Sequence, residues 1–176
     1  TAKLAAARLT GIDVRAVTED ASPRGQVSLA LWEPPFTSYA GENGAPVRRA
    51  ASSESADLLA DLVAEDVRTL AFVRSRRGAE QVALTAAELL AEVDPSLPGR
   101  VAAYRGGYLP EERRAIEQAL RDGRLLGLAA TNALELGIDV GSVDLVCQLG
   151  SPRAMTTLLQ RIGRAGHGRD RTSVGR

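Results

Sequence analysis

The chain reads as an α/β domain, a parallel sheet with helices on both faces. Three observations carry that reading. From Ser53 onward, short apolar runs alternate with stretches of helical length and helical periodicity, the pattern of repeated βαβ units. The runs Thr69–Val73 and Val143–Leu149 are apolar almost throughout, as expected of strands covered on both sides. Pro110 followed by Glu111 and Glu112 is a helix start, because proline needs no N–H there and acids suit the positive end of the helix dipole.

Taken in order, Ala2–Leu9 reads as the last turns of a helix stopped at Gly11. Val14–Val17 alternates like a short strand, and Ala21–Gly25 is a turn. Val27–Trp32 alternates again and ends before Pro34-Pro35, which cannot continue a central ladder. From Thr37 to Ala51 the composition, centred on Gly41-Glu42-Asn43-Gly44, predicts a loop or linker. Ser53–Glu65 is an amphipathic helix with Ala56, Leu59, Leu62 and Val63 on one face and Ser53 as its N-cap. The following elements are a strand at Thr69–Val73, a helix at Gly78–Val93, a strand at Val101–Tyr104 and a helix at Pro110–Arg121. Strands at Leu125–Ala130 and Val143–Leu149 and a helix at Ala154–Ile162 complete the pattern.

With 176 residues, the chain can hold one domain with a real core and a modest extension. Both Thr1 and the closing Thr-Ser-Val-Gly-Arg read as ends cut from something longer. Basic and acidic residues balance at 22 each, so net charge selects no partner. Every basic residue except Lys3 and the single His167 is arginine, the side chain that binds phosphate and carboxylate through a planar fork; a coding bias explains the same composition. Cys147 has no second cysteine for an intrachain disulfide, and its apolar setting predicts an inert, buried thiol. No apolar run is long enough to span a bilayer, so no membrane partner is expected. A reducing, cytoplasmic setting fits best.

In a doubly wound sheet, ligands bind where loops leave the C-terminal ends of the strands. Four such loops are polar here. Arg74-Ser75-Arg76-Arg77-Gly78 opens a helix whose free N–H groups and dipole favour an anion, so it reads as a phosphate-backbone contact or, more plainly, as a solvated cap. Tyr104-Arg105-Gly106-Gly107-Tyr108 lets backbone approach a ligand and offers rings for base stacking; a turn with two packing aromatics is the alternative. Thr131 and Asn132 can cap a helix or meet a phosphate, while Glu135 and Asp139, four apart, share one face if the turn is helical. Gln160 to His167 carries Arg161 and Arg164 on a helix end broken by Gly163 and Gly166. An arginine on such a turn can reach another domain, or pair with a surface acid. His167 has no companion ligands, so no metal site is expected.

The chain has no Gly-x-x-x-x-Gly-Lys-Ser/Thr and no acidic magnesium box. It therefore carries no loop of its own for cradling ATP phosphates.

Together, and in this order, these segments resemble the second RecA-like domain of superfamily-two DEAD/DEAH-like helicases. Leu70–Arg77 resembles motif IV, Ala130–Asp139 resembles motif V through Thr131-x5-Gly137-x-Asp139, and Gln160–Gly166 resembles motif VI. The resemblance runs over Ser53–His167, and Thr1–Pro35 more loosely resembles the tail of the first RecA-like domain. It divides the chain into a first-domain tail at 1–35, a linker at 36–52 and the second RecA-like domain at 53–176. Leu31–Pro35, Phe72–Glu80 and Tyr104–Arg113 resemble bacterial DNA-repair helicases with a C-terminal cysteine-bearing domain. Gly150–Arg153 and Leu158–His167 resemble the Lhr group.

What the resemblance implies is a RecA-like fold and ATP-dependent, 3′-to-5′ translocation on DNA or an RNA:DNA hybrid, in DNA repair. ATP with Mg²⁺ would be held mainly by a first RecA-like domain of the same protein, leaving this piece inactive alone. By the same resemblance, Arg164 is an arginine finger that also contacts the nucleotide, Arg161 orders motif VI, and Gln160 meets the nucleotide site. Gly137 and Asp139 line the ATP cleft. Arg74, Ser75, Arg105, Thr131 and Asn132 hold the nucleic acid, a single-stranded DNA track or possibly RNA. Where many relatives have a further arginine, this chain has His167. The competing readings are a non-catalytic RecA-like module that binds nucleic acid or regulates, and a small-molecule α/β enzyme using Glu135 and Asp139.

Overall fold

The computed structural model describes residues 2–17, 27–134, 141, 143–152, 154–165 and 173–175. The arm before the main domain holds helix α1 (Ala2–Thr10), strand β1 (Val27–Leu29), and strands β2 (Phe36–Ala40) and β3 (Pro46–Arg48). The domain proper runs α2 (Ala51–Ala64), β4 (Thr69–Phe72), α3 (Arg76–Val93), β5 (Val101–Tyr104), α4 (Pro110–Arg121), β6 (Gly127–Ala130), β7 (Leu145–Gln148), α5 (Met155–Ile162) and β8 (Ser173–Gly175).

The main sheet has the order β1-β8-β7-β4-β6-β5, with every neighbouring pair parallel. Alternation along its strands divides the core in two. Ala71, Ala129, Leu145 and Cys147 face α2 and α3, packing with Leu59, Val63, Val82 and Leu90. Leu70, Phe72, Leu128 and Val146 face the other side, with Tyr104 and the α4 residues Ala119 and Leu120. The predicted α/β architecture with helices on both faces is what the chain adopts. At Gly127 a Cβ would lie 2.8 Å from Val63 Cγ2 and 3.0 Å from Val101 Cγ2. Only glycine lets α2 come this close to β6.

Several boundaries follow local chemistry. At α3, Ser75 Oγ accepts from the Gly78 N–H at 3.0 Å, so the helix starts at Arg76, ahead of Gly78. At α4, Glu112 reaches back to accept from the Leu109 N–H at 2.8 Å, and Pro110 takes the first turn as expected.

Three expectations are corrected. The stretch read as loop from Thr37 to Ala51 holds the antiparallel β2–β3 pair, with Phe36 opposite Arg48 and Ala40 opposite Pro46. Thr37 Oγ1 donates to Val47 O at 2.9 Å across it, and the Arg48 guanidinium lies 4.0 Å over the Phe36 ring. Helix α2 starts at Ala51, so Ser53 is inside the helix and not its cap. Its first turns are tied instead by Arg49, which pairs with Glu54 at 3.1 Å and with Asp57. Val14–Val17 forms no strand; among the described residues it joins no ladder, and Val17 is exposed.

Candidate functional site

Because the strands are parallel, the loops leaving β4, β5, β6 and β7 gather at one edge of the sheet. A cleft of about 630 Å³ opens there, and its lining includes Arg74, Asn132, Gln148, Ser151, Thr157 and Arg161. Three residues singled out from sequence, Arg74, Asn132 and Arg161, are thus brought together although they lie up to 87 positions apart (161 − 74).

Arg161 is half-buried and held from two sides. Its Nη1 donates to Gln148 Oε1 at 2.6 Å, and its guanidinium lies 5.0 Å from the centre of the Phe72 ring. Arg74 reaches the cleft from the loop after β4 and lies across the loop after β7. A Cβ at Gly150 would be 2.5 Å from Arg74 Nη2, and Gly150 has a φ of +71°. The left-handed backbone and the close guanidinium both call for glycine. Asn132 is exposed at the start of the turn after β6, whereas Thr131 is buried at 6% exposure, its backbone N–H donating to Tyr104 O at 3.2 Å.

The remaining predicted residues are arranged differently. Ser75 spends its oxygen on the α3 cap and keeps its hydroxyl proton to donate. Arg105 lies on the same sheet edge but is engaged within the protein: its Nε donates to Glu80 Oε1 at 2.6 Å, and its guanidinium lies 4.6 Å over the Tyr108 ring. The hydrogen bond to Glu80 holds its pKa above the ordinary arginine value. Gln160 is exposed on α5, and Arg164 is half-buried just past that helix, its backbone N–H donating to Arg161 O at 3.0 Å. Neither stands among the described lining residues of the cleft. Gly137, Asp139, Glu135 and His167 lie outside the described residues.

The sequence reading missed Gln148, Ser151 and Thr157. Gln148 was absorbed into the apolar Val143–Leu149 run, yet it is the one polar side chain in the strand's last positions, immediately before Leu149-Gly150-Ser151-Pro152. That break in apolarity at a strand's C-terminal end was the available signal.

Chemically, the cleft offers two guanidinium groups, two amides and two hydroxyls, with no carboxylate among its described lining residues. Such a surface suits a phosphate or a carboxylate. Among its described lining residues there is no Asp, Glu, His, Cys or Lys. Among the described residues, no helix is long and apolar enough to cross a membrane.

Known proteins with similar sequence and structure identify the family. The model of the helicase conserved C-terminal domain matches residues 54–169. The chain is 36% identical over 169 residues to the ATP-dependent helicase hrq1 of Schizosaccharomyces pombe, covering 95% of this chain and 16% of that protein. The structure of the DUF1998 helicase MrfA bound to DNA and AMPPNP superposes with a TM-score of 0.84 at 34% identity, over 98% of this chain and 23% of that one. The Mycobacterium smegmatis helicase Lhr bound to ssDNA and AMP-PNP superposes with a TM-score of 0.69 at 32% identity, over 89% of this chain and 20% of that one. The chain therefore spans less than a quarter of the length of these relatives.

Proposed function

Since this chain belongs to the helicase conserved C-terminal domain family, in its superfamily-two, Lhr-like branch, we propose that it is the second RecA-like half of an ATP-driven motor that moves along nucleic acid. The observation that carries this reading is the convergence of Arg74, Asn132 and Arg161 on one cleft at the C-terminal edge of the sheet.

Two anion-binding tasks are divided along that edge. Arg74 and Asn132, on the loops after β4 and β6, contact backbone phosphates of the strand, with Ser75, Thr131 and Arg105 beside them. Contacts of this kind bind with little regard to sequence and weaken with salt. Arg161 and Arg164, at the end of α5, serve the nucleotide together with Gln160, and the resemblance to motif V gives Gly137 and Asp139, outside the described residues, the same task. The half-buried guanidinium of Arg161, set among the polar side chains of the cleft, fits a triphosphate. Bound ATP with Mg²⁺, held mainly by a first RecA-like domain of the same protein, supplies the phosphoryl group that is cleaved. Arg164 brings positive charge to that group once the two domains close, an effect of about 10³–10⁵ in rate for arginine fingers. Closure thereby couples hydrolysis to movement. The chain alone, without a P-loop, does not turn over ATP.

The DNA in the MrfA and Lhr structures supports DNA as the track, and we assign 3′-to-5′ movement in DNA repair to the whole protein. The test is ATP hydrolysis by the full-length protein with and without single-stranded DNA, as wild type and as Arg164→Ala. Strand-stimulated turnover that disappears in the variant is expected. Undiminished turnover would overturn the finger assignment. No stimulation by DNA or RNA would favour a non-catalytic nucleic-acid-binding module.

A further inference from the structure

We propose that Gln148 is a positioning residue for Arg161: its amide ties that arginine to the corner after β7 and so sets where the guanidinium sits in the cleft. The inference rests on the reading that Arg161 faces the nucleotide.

Gln148 is the last residue of β7 and pairs in register with Phe72, the last residue of β4. Arg161 comes from a different element, α5, and touches both members of that pair. It lies over the Phe72 ring and donates from Nη1 to Gln148 Oε1 at 2.6 Å. The two strand ends therefore form a seat with an apolar floor and one hydrogen-bond acceptor.

The acceptor is held in a single orientation. Gln148 Nε2 donates to Leu149 O at 3.1 Å and to Gly150 O at 3.0 Å. An amide flip would turn its N–H groups toward Arg161, donor against donor, and its oxygen toward two carbonyls, acceptor against acceptor. The corner thus aims Oε1 at Arg161 without costing rotamer freedom when ligand binds. The same corner seats the other cleft arginine, because Arg74 lies across Gly150. The three-residue corner Gln148 to Gly150 thus holds Arg161 and lies against Arg74.

A misplaced catalytic charge differs from a lost fold in two measurable ways. It lowers kcat more than it raises KM, and it stops mattering once the charge itself is removed. The experiment is strand-stimulated ATP turnover by the full-length protein as wild type, Gln148→Met, Arg161→Ala and the double variant. We expect Gln148→Met to lower kcat by roughly 10- to 100-fold, the scale of a displacement near 1 Å, with KM for ATP changed less than about threefold. The double variant should be no slower than Arg161→Ala. Gln148→Glu keeps an acceptor for Arg161 but sets its second oxygen against the Leu149 and Gly150 carbonyls, so it should recover only part of the loss; it also serves if the Met variant fails to fold. Wild-type kcat in Gln148→Met, or losses that multiply in the double variant, would overturn the positioning role while leaving the nucleotide-facing role of Arg161 intact. Wild-type turnover in Arg161→Ala would overturn that role instead, and the inference with it.

Discussion

Arg105 Nε lies 2.6 Å from Glu80 Oε1, so the guanidinium on the loop after β5 is first an intramolecular partner and only then a contact for nucleic acid. Arg74 has no carboxylate partner among the described residues and is exposed at the cleft. The two arginines should therefore differ in what they add to binding. Removing one full phosphate contact lowers the salt slope of single-strand binding by about 0.7. Arg74→Ala in the full-length protein should flatten the slope by about that much, and Arg105→Ala by clearly less. Glu80→Gln, which leaves Arg105 its full charge for the strand, should steepen it. Fluorescence anisotropy with a labelled single strand over a salt series reads all three. Equal losses from Arg74→Ala and Arg105→Ala would mean that the Glu80 pair opens whenever the strand binds.

The arm is fastened to α2 by a buried carboxylate. Glu54 is 7% exposed, accepts from Trp32 Nε1 at 3.0 Å, and pairs with Arg49 at 3.1 Å. Trp32→Phe keeps an aromatic body and removes that donor, leaving part of a buried charge without compensation at a cost of about 1–3 kcal/mol. The loss should be local. Hydrogen exchange of α2 amides in the full-length protein should quicken by about one to two decades, while α4 amides keep their protection. Uniform protection in both helices would show that Arg49 alone satisfies Glu54.

The parts of this fold that were legible in the sequence are those whose signals are local. Val101–Tyr104 and Pro110–Arg121 have the predicted ends, because Pro110, Glu111 and Glu112 mark a helix start by their own chemistry. The β2–β3 pair was not legible. Gly41, Gly44 and Pro46 look like a linker in one dimension, and the partner contacts, Arg48 over Phe36 and Thr37 to Val47, are visible only once the strands meet. Likewise Ser53 has the composition of a cap, but Arg49 pairing with Glu54 and Asp57 decides where α2 begins. In the cleft, Arg74 and Asn132 were legible as loop residues at the expected edge, and Arg161 as part of a helix end beside it. Gln148 was not, because its role depends on Arg161, and polarity at one position in an apolar run does not reveal a partner thirteen residues away.

Gly150 should tolerate no side chain. Its φ of +71° strains any L residue, and a Cβ would lie 2.5 Å from Arg74 Nη2. The backbone part costs about 1 kcal/mol. The steric part moves a flexible guanidinium, so it should cost binding more than stability. Gly150→Ala is expected to lower strand affinity and flatten the salt slope as Arg74→Ala does, and the pair of substitutions together should add little beyond either alone. If Gly150→Ala loses stability but binds the strand as wild type, Arg74 does not need its resting place to reach phosphate.

The last expectation concerns pH. Tyr104 is fully buried at the end of β5, and its hydroxyl donates to Glu117 Oε1 on α4 at 2.7 Å. Burial first, and then the hydrogen bond to Glu117, push its phenol well above the ordinary tyrosine value near 10. The folded state thus holds this proton more tightly than the unfolded chain does. A group whose pKa is raised on folding lends stability that is fully present below the unfolded pKa and is lost as pH climbs from there toward the folded one. Wild type should therefore hold its Tyr104 contribution from neutral pH to about 10 and lose it above, by at most about 1.4 kcal/mol per pH unit. Tyr104→Phe cannot titrate. It should begin about 1 kcal/mol less stable at pH 7, through the missing hydrogen bond, and the gap to wild type should close above pH 10. Denaturant unfolding of both proteins at pH 7, 9 and 10.5 tests this by difference, which removes the alkaline loss common to both. A gap that stays constant across the three would mean that Tyr104 keeps its ordinary affinity for the proton, and that α4 is held to β5 by packing rather than by this hydrogen bond.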